Sequence, residues 1–190
     1  MRNPTPKLSS AGPDGASVPR DDAPRHYQRL AGPWGDCVVL GAAAQPIRLM
    51  LEFTRCLPGP FAVLYLLPEP HGSHPPGRYQ SPFPLGRRRV VEFCERFERF
   101  LDRDGRHAVW IMTEDCAERL IHDRHRMIFA YGPLEEFERT LAREGYSPAK
   151  IRIPPMPDNP RGHAELDPEL DRLMEWWPWI RCPLWPGDEL

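Results

Sequence analysis

The run FAVLYLL at residues 61–67 constrains this chain more than any other stretch. It is apolar at every position, closed by Pro60 and Pro68, and too short for a helix, which predicts a central strand covered on both faces. The rest of the pattern has to supply that cover. Residues 46–57 place Ile47, Met50, Phe53 and Leu57 at helical spacing behind Pro46, which suits a first helical turn. Residues 86–104 form a longer amphipathic helix, with Val90, Phe93, Phe97, Phe100 and Leu101 on one stripe and Glu92, Glu95, Arg96, Glu98 and Arg99 opposite. Residues 134–144 repeat the device with Leu134, Phe137 and Leu141, a Glu135–Arg139 pair, and Gly145 placed for a left-handed C-cap. A fourth helix starts at Asp167, Pro168 and Glu169 and carries Leu170, Leu173, Met174 and Trp177 on one face.

Further strands are read at 36–42 and 107–113, and at 119–122 with 126–131 as a hairpin turning over Asp123, Arg124 and His125. Residues 150–153 can supply a last one. This order mixes βαβ units with an antiparallel pair. The expected fold is therefore α/β or α+β, a mixed sheet of about five or six strands with helices packed on its faces.

Residues 1–33 are Pro, Gly, Ser, Ala and charge with almost no aliphatic side chains. Such a segment cannot bury enough surface to offset the entropy of ordering, so a disordered tail is expected, in which only 26–30 (HYQRL) offers a docking patch. Residues 34–190 are then a single globular domain that ends in a Trp- and Pro-rich segment, 176–190. The stretch 68–84, with many prolines, His71, His74, Arg78 and Tyr79, is a connection long enough to be either functional or mobile.

The cationic side is almost wholly arginine, since Lys7 and Lys150 are the only lysines, and the chain holds 25 prolines. A GC-rich, bacterial genome accounts for both, and an arginine surface suits bidentate pairing with carboxylates and phosphates. The net charge of −2 gives no general attraction to nucleic acid or membrane. The five cysteines, Cys37, Cys56, Cys94, Cys116 and Cys182, are widely spaced with no CxxC pair, which fits reduced thiols better than a zinc ribbon or a disulfide framework. No apolar run approaches the length of a membrane helix and no secretory leader follows Met1, so a cytoplasmic protein is expected.

No standard catalytic template is present, and neither a cofactor nor a metal is implied. The 41–46 turn (GAAAQP) joins a strand to a helix but lacks the glycine pattern of a phosphate loop. His122, Asp123 and His125 form the densest group of acid/base side chains and are the weak catalytic candidates, with His71 and His74 able to join them in space. Arg87, Arg88 and Arg89 oppose the dipole of the helix they start, which calls for an explanation: either they lie in water or pair with nearby acids such as Glu92, or they meet an anion or an acidic partner surface, with Arg78 and Tyr79 just before them. Trp176, Trp177, Trp179 and Trp185 must cover something: either they seal the sheet or, chiefly Trp179 and Trp185, they offer an aromatic platform. These surfaces and the absent templates suggest a non-enzymatic protein-binding or regulatory protein, an adaptor or an immunity-type inhibitor whose partner is another protein. The alternative is a small enzyme or nucleotide/phosphate-binding domain using the 68–84 loop with His122, Asp123 and His125.

Overall fold

A computed structural model describes residues 25–151 and 164–188, apart from residues 33, 42, 44 and 187. Its strands are β1 (His26–Gly32), β2 (Gly35–Leu40), β3 (Phe61–Leu67), β4 (Gly77–Gln80), β5 (Ala108–Thr113), β6 (Arg119–His122), β7 (Ile128–Tyr131), β8 (Ser147–Pro148) and β9 (Ile180–Cys182). Its helices are α1 (Pro46–Thr54), α2 (Arg87–Arg103), α3 (Leu134–Arg143) and α4 (Asp167–Trp176). The strands form one sheet in the order β8-β1-β2-β7-β6-β5-β3-β4-β9.

β3 lies where its composition demands, between β4 and β5, antiparallel to both. Val63, Tyr65 and Leu67 point into the helix layer, while Leu64 and Leu66 are buried on the opposite face. The sheet is mixed only through the parallel pair β1 and β8. No βαβ unit places two parallel neighbours side by side, because β4 intervenes between β3 and α2 and reverses the chain.

The sheet has nine strands among the described residues, more than the expected five or six. The additional strands come from segments read as tail, loop or terminus. β1 arises from the last part of the expected tail, pairing with β2 from Tyr27↔Leu40 to Gly32↔Gly35. Residues 1–24, the remainder of that tail, lie outside the described residues. The hairpin needs its glycine: a Cβ on Gly32 would sit 2.5 Å from the Tyr131 hydroxyl. β4 makes the middle of the 68–84 connection part of the sheet, and β9 adds the terminal segment as an edge. In place of the expected strand at 150–153 stands the two-residue β8, which ends just before Ala149; Arg152 and Ile153 lie outside the described residues.

Among the described residues all four helices pack on one face of the sheet, where the expectation had helices on its faces. Ile47, Met50 and Phe53 of α1, Val90, Phe93, Phe97, Phe100 and Leu101 of α2, Phe137 and Leu141 of α3, and Leu170 and Leu173 of α4 share one apolar cluster. The clusters on the other face contain no helix residue. α3 ends as its sequence predicts, with Gly145 at φ +79° and the Tyr146 amide donating to the Leu141 carbonyl at 2.9 Å. α4 stops at Trp176, one residue short of the expected stripe. Pro178 biases Trp177 to extended backbone, and it sits at φ −135°, ψ 156°.

Candidate functional site

The histidine group separates. His122, at the end of β6, pairs across the sheet with Val109 and Ile128 and faces the helix layer, where neither ring nitrogen finds a hydrogen-bond partner. Burial, with help from His107, drives its pKa down to about 3. Asp123 and His125 close their own turn instead: Asp123 Oδ1 accepts the amides of Met127 at 2.7 Å and His125 at 3.0 Å, and its Oδ2 lies 3.1 Å from His125 Nδ1. The side chain that keeps His122 company is His107, which sequence alone gave no reason to single out. It is stacked between Tyr65 and Phe100, with centroids 4.9 Å from each. Burial lowers its pKa to about 4. Both imidazoles are thus neutral packing elements.

His71 and His74 join neither group. Their backbones bond each other in a tight turn, and their rings reach Asp167 and Asp171 of α4, each at 2.8 Å. Arg106 bridges Asp167, at 2.8 Å, to the buried Asp104. This network fastens the 68–84 connection to α4. Among the described residues, no three His, Cys, Asp or Glu side chains converge as a metal would require.

The expected arginine patch also divides, because neighbouring residues on a strand face opposite sides. Tyr79 points into the helix layer and donates to the Pro75 carbonyl at 2.5 Å, whereas Arg78 emerges on the other face. Arg87 donates to the carbonyls of Thr54 at 3.2 Å and Leu57 at 2.9 Å, just beyond the last turn of α1. Asp102, at the far end of α2, accepts the Ile47 amide at 3.1 Å, so α2 caps both ends of α1. That explains a cation at the start of α2. Arg89 lies over the half-exposed ring of Phe83 at 5.2 Å, and Arg88 is exposed with no partner among the described residues.

Trp176, Trp177 and Trp179 are sealing residues. They pack on Phe97 and Phe93 of α2, with Trp177 stacked on Phe93 at 4.7 Å and the Trp179 indole N–H donated to the Leu173 carbonyl at 2.9 Å. Trp185 is different. It leaves the last strand onto the helix-free face and remains 64% exposed.

There it ends a row of aromatic and arginine side chains that crosses the sheet. Arg78 lies 4.1 Å from the Trp185 ring and 5.9 Å from Trp110. Trp110 meets Trp34 edge-on at 5.5 Å, and Trp34 meets Tyr131 at 5.7 Å. Arg119 covers Trp34 at 5.1 Å and Tyr131 at 5.8 Å. Asp188 locks one end: its carboxylate receives Arg78 Nη1 at 2.7 Å and the Trp185 amide at 2.6 Å. At the other end burial pushes the pKa values of the Tyr131 hydroxyl and the Cys37 thiol up. Trp34 is 46% exposed.

Sequence reasoning named Arg78 and Trp185 but not Trp34, Trp110, Arg119 or Tyr131. The signal for Trp110 was its alternation with Val109 and Ile111, which mattered only once the helix-free face was known. Nothing local marks Arg119 and Tyr131, which become neighbours of Trp34 through the pairing of β6, β7 and β2. The chain matches no known protein family, no curated protein and no solved structure.

Proposed function

We propose that this chain is a non-enzymatic protein-binding or regulatory protein, an adaptor or immunity-type inhibitor of a bacterial cytoplasm, which meets its partner with the helix-free face. The exposure of Trp34 and Trp185 within one row carries the assignment. Water is a poor solvent for an indole ring, and large apolar side chains left open together on a sheet face mark an interaction surface. Tryptophan, tyrosine and arginine are the residues that dominate interface energetics. The row is also ordered before any partner arrives. Arg78 is held by Asp188 and two rings, and Trp34 by three aromatic or arginine neighbours, so little side-chain entropy is left to lose on association. The partner that fits offers apolar side chains to the two exposed indoles. Hydrogen-bond acceptors for the indole N–H of Trp34 and the guanidinium of Arg119 would fix its position.

The test compares wild-type bait with the double variant Trp34→Ala, Trp185→Ala in an extract of the source cell. A stoichiometric partner retained by the wild type should be lost at least tenfold by the variant, whose melting temperature stays within a few degrees. Equal retention by both would move the interface away from this face.

A further inference from the structure

On the opposite side of the molecule, between the outer face of α2 and the β6–β7 turn, lies an open cleft of about 400 Å³. Its charges are unevenly satisfied. Arg96 is held by Glu169 at 3.1 Å and Glu98 by Arg48 at 2.9 Å. Arg99, Arg103 and Arg126 line the same cleft, and none has an ion-pair partner among the described residues. Against them stand Glu95, on the rim, and Asp102, whose Oδ1 is already engaged by the Ile47 amide.

Arg126 is the unusual member. It sits in the β6–β7 turn at φ +65°, a left-handed conformation that costs a non-glycine residue free energy. Its guanidinium is partly buried, and its Nε has no hydrogen-bond partner. Burial lowers its pKa, with Asp102 opposing the shift and Arg103 adding to it. A half-buried guanidinium whose Nε lacks a partner, on a left-handed backbone, is destabilising by itself. Two further arginines one helical turn apart add repulsion. An anion held among the three would remove both costs, and the planar fork of arginine matches the oxygen spacing of a phosphoryl group.

We infer that this cleft is an oxyanion site that takes a phosphate-bearing small molecule through Arg99, Arg103 and Arg126. It shares no residue with the Trp34–Trp185 row and stands or falls apart from it.

Isothermal titration of the whole chain with inorganic phosphate, with pyrophosphate and with a nucleoside diphosphate tests the assignment. Binding of at least one of the three is expected. Inorganic phosphate alone reaching the tightest affinity identifies free phosphate as the ligand. A nucleoside diphosphate binding more tightly than pyrophosphate identifies a nucleotide. Arg103→Ser, at an exposed helix position that the fold tolerates, should weaken the interaction at least tenfold, and Arg126→Gln at least as much. The ligand should raise the melting temperature of the wild type and not of these variants. Trp34→Ala should leave all of this unchanged. No binding of any of the three at ten-millimolar ligand, or unaltered binding by both arginine variants, overturns the site.

Discussion

The two faces of this sheet use the same kinds of residue to opposite ends. Under the helices, polar rings are buried and neutral: His107, with Asp104 Oδ1 3.9 Å from its Nδ1, and His122 are shielded from water. On the helix-free face, the exposed rings of Trp34 and Trp185 stand in water, each covered by a half-buried arginine. The first face is built for stability alone, since a buried imidazole that cannot gain a proton cannot do acid/base work at neutral pH. The second is more ordered than a purely structural surface needs. Among the described residues no helix closes this face, and Trp34 and Trp185 are held open on it by their neighbours. That contrast is what favours the bare side in the proposed function.

Acid should break the covered face first. A histidine in the unfolded chain titrates near 6.5, whereas in the folded chain His107 titrates at about 4 and His122 at about 3. Between those values the unfolded chain binds protons that the folded chain refuses. Stability is therefore full above pH 6.5 and falls as pH drops toward 4, by roughly 3 kcal/mol for His107 alone. Asp102 works the other way: burial raises it to about 6, so the folded chain takes its proton first, which returns part of the loss between pH 6 and 4. Urea unfolding at pH 7, 6 and 5 should show stability declining with acid, and His122→Leu should flatten the decline. A flat profile in the wild type would mean that these rings open to solvent.

Next in size is the contrast between tryptophans. Trp177 is stacked on Phe93 in the helix layer, and Trp185 stands on the bare face, so the same substitution should read their environments directly. Trp177→Ala should cost about 2 kcal/mol, less than a fully buried ring because its edge is open, whereas Trp185→Ala should stay within about 0.5 kcal/mol. Iodide should quench the fluorescence of Trp185 and Trp34 before that of Trp177. Equal costs would mean that the terminal segment is part of the core and would weaken the case for a partner surface.

How much of this was legible depends on how local the cause is. The strand at 61–67, the amphipathic α2, the β6–β7 hairpin and the Gly145 cap follow from patterns complete within a few residues. β1, β4, β8 and β9 do not. β4, β8 and β9 are short, and all four occupy the outer two positions at either end of the sheet, where polar or proline residues are better tolerated. Their composition therefore reads as loop. The site was half legible for a related reason. Arg78 and Trp185 are odd enough to notice, but Trp34, Trp110, Arg119 and Tyr131 form a row only because β2, β7, β6 and β5 lie side by side, an adjacency of strands far apart in sequence. The placement of all helices on one face was equally invisible, since helical periodicity says that a stripe is buried and not against which side.

The smallest effect tests whether the arginines at the start of α2 belong to the covered face or to the open surface. Three cations there oppose the helix dipole, and sequence alone treats them alike. The structure separates them. Arg87 reaches back to the carbonyls of Thr54, which also accepts the Leu57 amide at 3.3 Å, and of Leu57, and it passes over Phe61 at 5.9 Å. Two charge-assisted hydrogen bonds at a partly buried helix end are worth about 1 kcal/mol net of the water they replace, so Arg87→Ala should lower stability by about that much. Arg88 has no partner among the described residues, and relief from the dipole should leave Arg88→Ala neutral or slightly stabilising, by a few tenths of a kcal/mol. Arg89→Ala should lie between them, since it loses only an exposed contact with Phe83. Paired urea titrations of the three variants resolve that order. If Arg88→Ala proves as costly as Arg87→Ala, the charge itself stabilises α2 and the capping account of Arg87 fails; if all three are neutral, the cluster is free to serve as a second contact surface beside the exposed Phe83.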